Sequence, residues 1–124
     1  MPGFTAVALR CLIVDDNAEF LQAAQTLLER QGLVVAGVAS NGADAVDRAR
    51  ELRPDVILLD IALGAESGFD VARRLAVENG FGAHVVLVST HAESDFADLI
   101  AATPAAGFMP KSDLSADAIR RLLD

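Results

Sequence analysis

A chain of 124 residues that is 52% hydrophobic and 23% charged is long enough to bury a core without disulfides or structural metals, and too apolar to be a disordered tail. Its 10 basic and 18 acidic residues leave a formal charge of −8, which argues against direct binding to a nucleic acid backbone or an anionic membrane. No apolar run approaches the roughly 18 residues that cross a bilayer. The lone cysteine permits no internal disulfide, so the expectation is one cytoplasmic domain over residues 1–124, its folded core starting near residue 9.

The first apolar run, Leu9–Val14, reads as a strand, with Cys11 as a small buried hydrophobe inside it. Arg10 and the pair Asp15-Asp16 interrupt this N-terminal stretch, and no basic segment precedes it, so it does not read as a secretory signal. Asn17 is placed to cap a helix whose stripe is Phe20, Leu21, Ala24, Leu27 and Leu28, with Gly32 ending it. A second strand, Leu33–Ala39, leads to a helix marked by Ala45, Val46, Ala49 and Leu52 and stopped by Arg53-Pro54. The third strand, Val56–Leu59, precedes a helix carrying Phe69, Ala72, Leu75 and Ala76 and ended by Asn79-Gly80. A fourth strand, His84–Ser89, is followed by a short helix with Phe96, Leu99 and Ile100 that stops before Pro104. Gly107–Pro110 is the weakest strand, since proline cannot donate to a ladder. Ser115 is placed to cap a last helix bearing Ala118, Ile119, Leu122 and Leu123. Apolar runs without alternation are the mark of strands covered on both faces. Five strand–helix units in series therefore predict an α/β fold, a doubly wound parallel sheet with helices on both sides.

Ligands of open parallel sheets bind beyond the carboxyl ends of the strands. At those ends stand Asp15-Asp16, Asp60, Ser89-Thr90 and Lys111. Each has an ordinary reading: loop chemistry at a helix start, a loop aspartate, a helix cap, a solvated lysine. Together they do not, because two carboxylates ~4 Å apart repel by about 4 kcal/mol at an effective dielectric near 20. Such a group needs a proton or a cation, and oxygen-only donors suit Mg²⁺. Carboxylates beside a cation, with a hydroxyl and an ammonium at hand, suit phosphoryl chemistry, in which Asp60 can serve as the nucleophile.

In that order and at those strand ends, these residues resemble the receiver domain of bacterial two-component response regulators, the CheY-like superfamily. The resemblance covers essentially the whole chain. It rests on Leu12–Asp16, Pro54–Asp60, Gly68 eight residues after Asp60, and Gly107–Lys111. It implies a flavodoxin-like five-stranded sheet in the order 2-1-3-4-5 flanked by five helices. It also implies that Asp60 accepts a phosphoryl group from a sensor histidine kinase, a reaction the domain itself catalyses and reverses. Mg²⁺ is then held by Asp15, Asp16, Asp60 and the carbonyl of Ala62, with Asp15 acting mainly through water. Lys111 pairs with the phosphoryl group, Ser89 swings toward it, and Phe108 turns inward, altering the surface of the fourth helix, fifth strand and fifth helix.

Four positions depart from the family pattern. Gly64 replaces a common proline, predicting a looser loop after Asp60. Phe108 replaces a frequent tyrosine. Thr90 replaces a small residue and is expected to narrow access to Asp60. Ser112 replaces a proline, leaving open whether the Lys111–Ser112 peptide is cis. His91 stands where a side chain can influence hydrolysis of an aspartyl phosphate, a solvated loop histidine being the plainer reading. His84 reads as structural, and two histidines without a cysteine pair give no zinc site. The competing readings are a receiver-like module that docks without phosphorylation, and a phosphatase of the haloacid dehalogenase type. Degenerate modules usually lack an acid or the lysine, and that phosphatase class needs a DxD after the first strand. No GxxxxGK[ST] or GxGxxG supports a nucleotide site. The output stays open between a stand-alone regulator and the receiver half of a transcription factor. The run Pro110–Ser115 resembles NarL/FixJ receivers, which continue into a DNA-binding domain; a homodimer through the fourth helix, fifth strand and fifth helix is a further option.

Overall fold

A computed structural model describes residues 9–78, 82–91 and 93–123. The chain enters the middle of a parallel sheet with β1 (Arg10–Val14) and returns through α1 (Ala18–Arg30) to β2 (Val34–Ala39) on one side. It then crosses over by α2 (Gly42–Leu52) to β3 (Val56–Asp60) on the other side. A hairpin of two short strands, β4 (Ala62–Leu63) and β5 (Glu66–Ser67), leads into α3 (Gly68–Glu78). The sheet continues with β6 (His84–Ser89), a 3-10 turn and α4 (Ala97–Ala101), then β7 (Gly107–Pro110), a second 3-10 turn and α5 (Ala116–Leu123). The order β2-β1-β3-β6-β7 is the expected 2-1-3-4-5 once the hairpin strands are set aside, and the fold class is as expected. Among the described residues no helix is long and apolar enough to cross a membrane.

The three central strands are buried along almost their whole length. Successive side chains point to opposite faces. Leu12, Val14, Ile57, Leu59 and Leu87 therefore pack with α2 and α3 residues on one side, while Cys11, Ile13, Val56, Leu58, Val86 and Val88 pack with α1 and α5 residues on the other. Each fully buried Leu or Ile contributes about 1.5–3 kcal/mol. Burial also pushes the Cys11 thiol up to about 12, which makes it the inert core residue the sequence suggested.

Caps fall where expected. Asn17 Oδ1 accepts from the N–H groups of Glu19 and Phe20, and Ser115 Oγ accepts from Ala118 N–H at 3.0 Å. Arg53 ends α2 in the left-handed region, φ 47°, just before Pro54. The α5 start has a second cap that no local pattern announces: Gln31 Oε1, from the end of α1, accepts from Ala116 N–H at 2.6 Å. The expected stop of α3 at Asn79-Gly80 lies outside the described residues. α4 is only five residues long, has no side-chain N-cap and buries none of its own residues. Among the described residues no peptide is cis, so Lys111–Ser112 is trans.

The loop after Asp60 differs from expectation. It is a closed hairpin, with Ala62 opposite Ser67 and Leu63 opposite Glu66. Gly64 has φ +59° while Ala65 has no positive φ, the pattern of a type II′ turn, which takes glycine at its first central position. Proline cannot adopt that φ, so glycine here tightens the loop where the sequence suggested loosening.

Candidate functional site

The register of the sheet assembles the site. Val14 pairs with Leu59, Asp60 with Val88, and Ser89 with Pro110. Asp15, Asp60, Ser89 and Lys111 therefore emerge together at the carboxyl end of the sheet, where the connections leaving β1 and β3 run in opposite directions, the usual crevice of such sheets.

Asp15 is wholly buried, and Asp16, the next residue, is exposed. Asp15 Oδ1 accepts from Asn17 N–H at 2.8 Å, so the turn that caps α1 also fixes this carboxylate. Asp60 is 6% exposed, and its Oδ1 accepts from Ala62 N–H at 3.2 Å. Gly68 is obligatory behind it: a Cβ there would lie 2.1 Å from the Asp60 carbonyl oxygen and 2.5 Å from Ile61 Cα. The family-like spacing of this glycine thus has a steric cause.

Lys111 Nζ lies 2.6 Å from Asp15 Oδ2 and 3.4 Å from Asp60 Oδ2. Asp15 Oδ2 is buried and accepts no well-aligned hydrogen bond; the ammonium meets it by charge and leaves its hydrogen-bonding capacity unfilled. Carboxylate oxygens of Asp15, Asp16 and Asp60 all lie within 4.8 Å of one another. Lys111 pairs with two of these three acids, and one ammonium against three carboxylates leaves an excess of negative charge. Together with the under-satisfied Asp15 oxygen, that donor set fits a hard divalent cation. Burial raises the Asp60 carboxyl above the usual carboxylate range and Asp15 adds to the rise, while the Ala62 N–H and Lys111 oppose it.

The remaining expected residues take different places. Ser89 is buried, and its Oγ accepts from His91 N–H at 2.9 Å, leaving its own proton for another acceptor. Ala62 contributes its N–H to Asp60. Phe108 is 8% exposed and already belongs to the α2–α3 side of the core. Thr90 is exposed, with Oγ1 3.4 Å from His91 Nδ1, and the His91 ring meets Phe96 edge-on at 5.8 Å. Two residues escaped sequence reasoning. Phe20, read only as core, places its ring 4.2 Å from Lys111 Nζ, a cation–π contact that helps hold the ammonium. Glu66, in the hairpin, had no local signal.

Comparison with known proteins agrees with this geometry. Residues 11–123 match the family model described as the response regulator receiver domain. The chain is 36% identical over 91 residues to the DNA-binding response regulator MtrA of Mycobacterium tuberculosis strain H37Rv, an alignment covering 73% of this chain and 38% of that protein. It is 39% identical over 90 residues to protein-glutamate methylesterase/protein-glutamine glutaminase 5 of Myxococcus xanthus, covering 72% of this chain and 26% of that one. The chain thus spans well under half the length of these relatives. Among solved structures it superposes on the signal receiver domain of the response regulator NarL from Mycobacterium tuberculosis with a TM-score of 0.81 at 27% identity, covering 94% of each chain. It also superposes on a LuxR-family two-component response regulator from Aurantimonas sp. SI85-9A1 with a TM-score of 0.80 at 26% identity, covering 92% of this chain and 81% of that one.

Proposed function

The chain belongs to the response regulator receiver domain family of two-component systems, and from that premise we propose that Asp60 is its phosphoryl acceptor. The observation that carries the reading is the meeting of Asp15, Asp16 and Asp60, two of which, Asp15 and Asp60, are paired with Lys111. The donor is the phosphohistidine of a sensor kinase. An Asp60 carboxylate oxygen forms the new bond to phosphorus as the histidine nitrogen leaves with the electron pair of the old one. Asp15, Asp16, Asp60 and the Ala62 carbonyl are the proposed holders of Mg²⁺, which when bound neutralises charge on the phosphoryl oxygens. Lys111, already poised between two carboxylates, moves its charge onto the phosphoryl group. Ser89 donates its free hydroxyl proton to a phosphoryl oxygen. The Ala62 N–H holds Asp60 in place.

Phe108, buried on the α2–α3 side of the core, is with Ser89 the proposed switch pair for the α4–β7–α5 surface. α4, which has no side-chain cap and buries none of its own residues, is the part of that surface with least anchorage and so the part expected to respond. By analogy with the DNA-binding relatives, the output partner is a DNA-binding domain or a second copy of the chain meeting it at that surface.

Intact mass after acetyl phosphate and Mg²⁺ tests this. One added phosphoryl group is expected, absent without Mg²⁺ and absent in Asp60→Asn. An unchanged mass, or equal modification of the variant, overturns the assignment.

A further inference from the structure

The β4–β5 hairpin sits between the acid cluster and α2, and the side chain that joins them is Glu66. Its Oε1 accepts from the N–H of Gly42, the first residue of α2, at 2.9 Å. Asn41 caps the same turn by accepting from Asp44 N–H at 2.9 Å. Glu66 therefore takes a second free N–H of α2, where a negative charge is also favoured. The seat is shaped for it: a Cβ on Gly42 would stand 2.6 Å from Glu66 Oε2 and 2.9 Å from Val71 Cγ2.

The other end of the hairpin touches the site. Glu66 is paired with Leu63, and the adjacent pair is Ser67 with Ala62. Ala62 N–H is the donor on Asp60 Oδ1. At the turn, a Cβ on Gly64 would lie 3.4 Å from Asp16 Oδ2. The two-residue strands bury little, Glu66 and Ser67 being only half-buried, so the hairpin needs an anchor to keep one orientation.

We propose that Glu66 is a positioning residue: it clips the hairpin to the start of α2 and thereby holds the Ala62 N–H on Asp60. The inference rests on the reading of Asp60 as phosphoryl acceptor only for its effect on rate; the clip itself is a separate, measurable contact. Glu66 touches no reacting atom, so its removal acts through the orientation of Asp60, not through binding of the donor.

The test follows deuterium exchange of the Ala62 amide by NMR and, on the same proteins, phosphorylation by acetyl phosphate with Mg²⁺. In Glu66→Ala the Ala62 amide is expected to exchange about tenfold faster and the maximal phosphorylation rate to fall about tenfold, just under the low end of what a hydrogen bond to a charged acceptor is worth, as suits a part-exposed one. The half-saturating donor concentration stays unchanged. Glu66→Gln, which keeps the acceptor oxygen and the fold, restores both to within about threefold. Gly42→Ala, whose methyl fills the carboxylate's seat, copies Glu66→Ala, and the two combined do no more than either alone. Unchanged Ala62 exchange in Glu66→Ala, or additive effects of the two substitutions, overturns the proposal. If the unmodified protein takes no phosphoryl group, the acceptor reading falls, and the exchange data still decide the clip.

Discussion

Leu12, Ile13, Val14 and Asp15 are consecutive residues with no exposed surface at all, yet burial acts on them with opposite sign. The first three leave water for hydrocarbon and each contributes about 1.5–3 kcal/mol. The fourth leaves its hydration for a pocket that holds two more carboxylates and one ammonium, a cost that one backbone N–H and the Lys111 charge must offset. β3 repeats the pattern, from fully buried Leu58 and Leu59 to Asp60. The strand interiors hold the fold, and that surplus keeps their carboxyl ends in an arrangement the ends would not adopt alone. A divalent ion or a phosphoryl group then finds charge already gathered and in need of a partner.

The sharpest way to break this comparison is to damage each half in turn. Leu58→Ala removes packing from the α1–α5 side of the core and is expected to cost about 3 kcal/mol in urea unfolding. Because no ionisation is involved, the loss stays the same from about pH 8 to about pH 5. A loss under about 1 kcal/mol would mean that the core collapses around the gap and is not the tightly packed layer described here.

Lys111→Met, of similar length but without charge, is expected to cost about 2 kcal/mol near neutral pH in the absence of divalent ions. Unlike the loss at Leu58, this one shrinks as the solution is acidified, since Asp60 relieves the repulsion by taking up a proton. Added Mg²⁺ also restores part of it by mass action. Equal destabilisation at about pH 8 and about pH 5 would show that Lys111 supports the fold by packing on Phe20 and not by its charge.

How much of this was legible depended on whether the cause was local. The five strands were readable because Val56–Leu59 and His84–Ser89 are apolar without alternation, and a sheet covered on both faces demands that. Asn17 and Ser115 were readable because a cap acts two or three residues away. The acids and Lys111 were readable because strand ends in a parallel sheet converge. By contrast, Gln31 caps a helix 85 residues further on, and Glu66 bonds Gly42 across 24 residues; neither leaves a local trace. Phe20 fits the apolar stripe of α1 so well that its second duty at Lys111 was hidden. Gly64 was visible but misread: measured against the family's proline it suggested slack, whereas Gly-Ala between two short extended pairs is a tight-turn signal. α4 is the short helix its pattern indicates, but the pattern does not reveal that Leu99, one of its apolar residues, remains 47% exposed.

The smallest expected effect is the most discriminating, because it raises stability. Burial lifts the Asp60 carboxyl above its ordinary range, with Asp15 adding to the rise. A carboxyl whose folded-state value is raised binds its proton more tightly when folded than when unfolded. The folded state is therefore not penalised below the ordinary carboxylate range, is penalised progressively as pH climbs from there to the raised value, and carries the full penalty above it. Asp60→Asn keeps the shape, removes the charge and so removes the penalty. Without divalent ions its Tm is expected to exceed that of the unmodified protein by a few degrees at neutral pH, and the two melting curves should converge as pH falls through the carboxylate range. Mg²⁺ should raise the unmodified protein's Tm and close the gap from the other direction, because the variant has one charged ligand fewer. If Asp60→Asn melts lower than the unmodified protein at neutral pH, Asp60 is serving the fold as an ordinary satisfied carboxylate, and the opposition between strand interior and strand end does not hold.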